Sequence, residues 1–178
     1  VLRSKRSLAI ADLIERLGFI QKAKGYSSDA GLLIFGPGEA PTLGPSDPAA
    51  AIAVVIAPDD GAAPAAAGGG YVHGRQVTAS IPLLVHALVK ADQDAETPVW
   101  ELIEELIADI KVAVEIEGND PPPNEGDAAV TRMFAGGLPK GLTRGQTAYL
   151  AREDGSPWAG ATVEYRITIQ EQWGRPWP

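Results

Sequence analysis

The chain has 178 residues, 45% hydrophobic and 21% charged, with no cysteine and a formal net charge of −8. Its length suits one domain of ordinary size with a real core, and the missing thiols exclude a disulfide framework, thiolate catalysis and thiolate metal sites. The acidic balance argues against non-specific nucleic-acid binding, which draws on Lys and Arg neutralising phosphates.

Ser7 to Lys22 carries Leu8, Ile10, Ala11, Leu13, Ile14, Leu17 and Ile20 at helical spacing. The pattern predicts an amphipathic helix capped by Ser7 and stopping near Gly18, which weakens its last turn by roughly 1 kcal/mol relative to alanine. Leu32 to Phe35, between glycines, predicts a short strand. Ala49 to Ala57, bounded by Pro48 and by Pro58-Asp59-Asp60-Gly61, predicts a buried strand. Gln76 to Val89 alternates in two halves around Pro82, which marks an edge, a bend or a bulge because proline donates no ladder hydrogen bond.

Thr97 to Val114 predicts a second helix. Thr97 is placed to cap it, Pro98 suits the first helical position and Glu101 favours the first turn. Its apolar stripe reads Trp100, Ile103, Leu106, Ile107 and Ile110. Residues 121–123, Pro-Pro-Pro, end any structure before them. Ala148 to Arg152 and Ala161 to Trp173 then read as two strands of a hairpin around Glu153-Asp154-Gly155-Ser156. In the second of these, Val163, Tyr165, Ile167 and Ile169 alternate with Glu164, Arg166, Thr168 and Gln170.

Glycine (20) and proline (15) concentrate in 36–48, 57–74 and 118–145. The low-complexity stretch 57–74 predicts a mobile loop, and 118–145 an irregular excursion. The expected fold is α+β over residues 1–178: one small antiparallel or mixed sheet, two helices packed on one face, and long loops or arms. No apolar run reaches the roughly 20 residues that span a bilayer, and residues 1–20 lack the apolar core of a signal peptide, so a soluble intracellular protein is expected.

Few residues carry chemistry. Glu101, Glu104, Glu105 and Asp109 share one flank of the second helix, with like-charge pairs at i,i+4. This flank is either a solvated face or an acidic surface toward something to be repelled; a metal site is disfavoured because no ligand loop accompanies it. Asp59-Asp60-Gly61 reads as a turn rather than a calcium loop. His73 and His86 have no acid or nucleophile beside them in sequence, so no catalytic residue is assigned. Residues 136–145, Gly-Gly-Leu-Pro-Lys-Gly-Leu-Thr-Arg-Gly, lack the order of a phosphate-binding loop. They instead place Lys140 and Arg144, with Arg132, on a basic loop that complements the acidic flank in a self-association contact. Trp173-Gly174-Arg175-Pro176-Trp177-Pro178 has two readings: Trp173 closes the core and Trp177 stays free, or the segment docks on a partner, since Trp and Arg are the residue types of interface hot spots and its prolines lower the entropy lost on docking.

The layout of "SLAIADLIERLGFI", "RQVTASIPLLVHALVKAD", "TPVWELIEELIADIKVAVE" and "TVEYRITIQEQWG" resembles the tail terminator (tail completion) proteins of long-tailed phages, including the minor tail protein U type. The resemblance covers the first helix, the 75–115 unit and the last strand. It implies a non-enzymatic virion protein without cofactor, assembled in the host cytoplasm. Such a protein forms a homohexameric ring that caps the tail tube, ends its polymerisation and joins tail to head. The implied partners are the subunit itself, the tube protein, a neck or head-completion protein and, in a contractile tail, the sheath. DNA passes through the lumen without sequence-specific binding. On that reading Glu101, Glu104, Glu105 and Asp109 face the lumen, and Arg132, Lys140, Arg144, Trp173, Arg175 and Trp177 face neighbouring subunits or the neck. The 118–145 segment is long for a minimal terminator, which keeps a head-completion or neck connector protein open as an alternative. A small ligand-binding or hydrolase domain using His86 or Asp59 is the reading from another class.

Overall fold

The computed structural model describes residues 4–44, 46–58, 76–91, 96–115, 139–151 and 156–172. Helix α1 spans Lys5–Leu17, strand β1 Ile34–Phe35, β2 Ala50–Ile56, β3 Gln76–Lys90, helix α2 Val99–Glu115, β4 Pro139–Tyr149 and β5 Trp158–Gln172. Two short 3-10 turns, Lys22–Lys24 and Ala30–Leu32, join α1 to β1. The sheet order is β1-β2-β3-β5-β4; β1 runs parallel to β2, and the remaining neighbours are antiparallel. The fold is therefore α+β with a mixed sheet and helices packed on it, as the alternation of strand and helix patterns implies.

Register follows from the two-residue period of a strand. Ile81, Leu83, Val85 and Ala87 of β3 lie opposite Ile167, Tyr165, Val163 and Ala161 of β5, and all eight are buried on the face that meets the helices. Ile52 and Val54 of β2 extend this face. Ala9, Leu13 and Leu17 of α1, with Ile103, Leu106, Ile107, Ile110, Ala113 and Val114 of α2, close the core over it. Among the described residues no helix is long and apolar enough to cross a membrane.

Several expectations shift. The cap of α1 is Ser4, whose hydroxyl accepts the Ser7 N–H at 3.1 Å, so Ser7 lies inside the helix. The helix closes at Gly18, the stop expected there, its amide bonding back to Ile14 at 3.0 Å. In α2 the Pro98 carbonyl accepts from Glu101 and Leu102, which makes Pro98, not Thr97, the residue that opens the helix. Trp100 is 62% exposed and leaves the apolar stripe, which begins at Ile103. The strand foreseen over 32–35 shortens to two residues, and Leu32 is exposed.

Pro82 neither bends nor breaks β3. The β2 ladder ends beside it: the last pair is Ile56 with Leu83, and the Pro82 carbonyl takes a final bond from the Ala57 N–H at 3.0 Å. Among the described residues, the missing N–H thus falls where the pairing of β3 with β2 stops.

The largest correction concerns 118–145, whose last seven residues are strand rather than irregular excursion. Strand β4 starts at Pro139, so Lys140 and Arg144 lie on a sheet edge and not in a loop. Register shifts between Pro139 and Gly141 and between Arg144 and Thr147 break the alternation that would have revealed the strand.

Candidate functional site

Helix α2 runs beside β4 and β5, and its carboxylates separate by what the neighbouring elements offer them. Asp109 is only 6% exposed. Its two oxygens accept the backbone N–H groups of Ser27 and Ser28 at 3.1 and 3.0 Å and the Ser28 hydroxyl at 3.0 Å. It is a buried clamp on the segment following α1, and it does not belong to the exposed flank on which helical spacing placed it. Glu104 is exposed and accepts the phenolic hydroxyl of Tyr149, at the end of β4. Glu101 and Glu105 are exposed too.

Glu115, which sequence reasoning did not single out, is the hub of the helix's last turn. It accepts the Tyr165 hydroxyl at 2.9 Å and pairs with Arg144 at 2.9 Å. Arg144 is therefore engaged within its own chain, rather than left over for a neighbour as its place in a basic segment suggested. Burial, followed by the bond to Glu115, pushes the Tyr165 phenol well above its ordinary value. The exposed Tyr149 phenol is raised chiefly by its bond to Glu104.

Around the first turn of α2 and the end of β4, Trp100, Tyr149 and Leu150 are 62%, 54% and 41% exposed. Trp100 precedes Glu104 by one helical turn on the same flank, and Tyr149 reaches Glu104 from β4. Two exposed aromatics thus flank a carboxylate, Tyr149 by its hydrogen bond and Trp100 by helical spacing, with Glu101 and Glu105 on neighbouring positions of the helix. Sequence reasoning identified these acids but assigned Trp100 to the core and passed over Tyr149. Its only signal was an aromatic near the start of the strand foreseen over 148–152.

The opposite face of the sheet holds His86, whose Nδ1 lies 2.7 Å from the hydroxyl of its cross-strand partner Thr162. Burial pushes its pKa down, which favours the neutral ring of a structural hydrogen bond. A cleft of about 280 Å³ on that face is lined by Pro82, Leu84, Thr143, Glu164 and Arg166, among others. His86 is not among its lining residues. Among the described residues no three His, Asp or Glu side chains converge as metal ligands would. His73, Asp59, Arg132, Trp173, Arg175 and Trp177 lie outside the described residues, as does the side chain of Lys140.

Comparison with protein-family models and with curated proteins matches none of them.

Two consequences are measurable. Asp109→Ala strands two backbone N–H groups and a hydroxyl, and is expected to lower the unfolding free energy by about 1–3 kcal/mol in urea denaturation. An unchanged midpoint would show that water replaces the clamp. Tyr165 gives a pH signature. Its proton is held more tightly in the folded chain than in the unfolded one, where the ordinary value is 10.0. Stability from this group is complete below that pH and falls as pH rises, by up to about 1.4 kcal/mol per pH unit. Tyr165→Phe is therefore expected to flatten the loss of unfolding free energy between about pH 10 and about pH 12, relative to the unsubstituted protein. Equal slopes would mean that the phenol is not shifted.

Proposed function

We propose that this chain is a structural subunit of the phage head–tail junction, a tail terminator that assembles into a ring on the tail tube, ends its polymerisation and joins tail to head. The observation that carries the reading is the architecture. Two helices pack on one face of a mixed sheet, in the element order of the segments that resemble terminators. The exposed acids of α2 and the net charge of −8 fit a ring through which DNA passes without adhering. With Asp109 committed to the fold, the lumen-facing set reduces to Glu101, Glu104 and Glu105. The ring's partners on this reading are further copies of the chain, the tube protein and a neck or head-completion protein.

Electron microscopy of particles assembled without this protein tests the proposal: overlong tails are the expected result. Tailless heads that leak DNA would replace the terminator reading with that of a neck connector. The lumen assignment has its own test. Glu105→Lys, at an exposed position of the helix, is expected to leave ring formation on the tube intact while slowing DNA ejection, followed by potassium efflux or fluorescent-dye release. Ejection at the rate of unsubstituted particles would place this acid elsewhere than the lumen.

A further inference from the structure

The aromatic patch at the start of α2 has a counterpart in the same chain. Segment 173–178, Trp-Gly-Arg-Pro-Trp-Pro, supplies two indoles, a guanidinium and two stiffening prolines. The patch supplies Trp100 and Tyr149, with Glu104 bonded to Tyr149 and Glu101 next to Trp100 on the helix. The two are complementary in charge and in kind: a guanidinium pairs with carboxylates and stacks on aromatic faces, and Trp, Tyr and Arg are the residues that dominate interface energies.

The topology decides whose segment reaches whose patch. Tyr149 lies opposite Ala161, near the start of β5, whereas segment 173–178 leaves the far end of that strand at Gln172. The eleven residues from Ala161 to Gln172 span about 36 Å at the rise of a strand. Six residues, fully extended, cover only about 20 Å. Trp100 stands farther away still, because α2 runs from Glu104 beside Tyr149 to Glu115 beside Tyr165, toward the end of β5 from which the segment departs. A chain therefore cannot fill its own patch.

We infer that segment 173–178 of one copy docks on the Trp100–Glu101–Glu104–Tyr149 patch of the next copy. Donor and acceptor are different surfaces, so the contact is head-to-tail, the kind that propagates and closes into a ring when its rotation allows. The inference deepens the ring reading by naming its joint. It also assigns Glu101 and Glu104 a positive neighbour, so part of the acidic flank is covered by the next subunit.

Sedimentation analysis of two full-length variants tests it. One variant, Arg175→Glu with Trp177→Ala, keeps the patch and loses the segment. The other, Trp100→Ala with Glu101→Lys, keeps the segment and loses the patch. Glu101→Lys alone, at an exposed position outside the core, serves as a second patch variant that does not disturb packing. The unsubstituted protein is expected to self-associate at sub-millimolar concentration. Each variant alone is expected to be monomeric with an unchanged melting temperature, its self-association weakened roughly thirty-fold or more. Mixed, the two variants form a 1:1 heterodimer and nothing larger, because only one donor and one acceptor remain. The inference is overturned if either variant assembles like the unsubstituted protein, if the mixture stays monomeric, or if the unsubstituted protein is itself monomeric. Overlong tails in particles lacking the protein would uphold the terminator reading in any of those cases, so the two can fail separately.

Discussion

The long pairing of β3 with β5 is the constraint on which the remaining structure depends. It runs without interruption from Gln76 opposite Gln172 to Lys90 opposite Trp158. A slip of one residue would turn Ile81, Leu83, Val85, Val163, Tyr165 and Ile167 away from the helices and expose the whole inner face. Close approach helps hold the register. A Cβ on Gly160 would lie 2.4 Å from the Ala87 carbonyl oxygen, so only glycine fits where the two strands meet near the start of β5. With that pair fixed, β2 extends the sheet on one side until Pro82, and β4 extends it on the other.

Helix α2 is then fastened to this sheet by carboxylates as well as by its apolar stripe. Asp109 holds the segment after α1, Glu115 holds Tyr165 and Arg144, and Glu104 meets Tyr149. A run of acids that looks uniform along the helix is thus divided among separate tasks. The division is set by geometry: positions 109 and 113 face inward with the stripe, whereas 101 and 105 face solvent. A buried carboxylate that accepts three hydrogen bonds is compatible with a stable fold, because its desolvation is offset by bonds to groups that would otherwise be unpaired.

This division explains what the sequence could and could not disclose. Strand β5 was legible because Val163, Tyr165, Ile167 and Ile169 alternate without a break, and β2 because its apolar run sits between prolines. Helix α2 was legible from its stripe, apart from Trp100, which lies one turn before the sheet begins to cover the helix. Strand β4 was legible only at its end, where 148–152 reads as the hairpin partner of β5; its body from Pro139 was not. Its glycines and two register shifts remove the period-two signal, and it is a strand only because β5 supplies its hydrogen bonds. The roles of Asp109 and Glu115 were illegible for a related reason. Their partners are roughly eighty and fifty residues distant, and no local spacing encodes such contacts. The apolar surface at Trp100 and Tyr149 was hidden because an aromatic at helical spacing reads as core until tertiary packing leaves it out.

What remains after stability is accounted for is concentrated in one place. Among the described residues the side chains of Glu101 and Glu105 have no ion pair or hydrogen bond, and they repel each other at i,i+4. Trp100 buries little of its surface, and its indole gives the monomer correspondingly little of the stabilisation that a buried aromatic provides. A lone exposed hydrophobic residue needs no explanation. Trp100 and Tyr149 beside the acids of α2 are a grouped case, and Trp100 contributes little to the isolated subunit. On the docking proposed above, they gain from a surface that supplies positive charge and aromatic area. That gain makes this corner of α2 and β4, rather than the cleft on the opposite face or the hydrogen-bonded His86, the part of the molecule where function is to be sought.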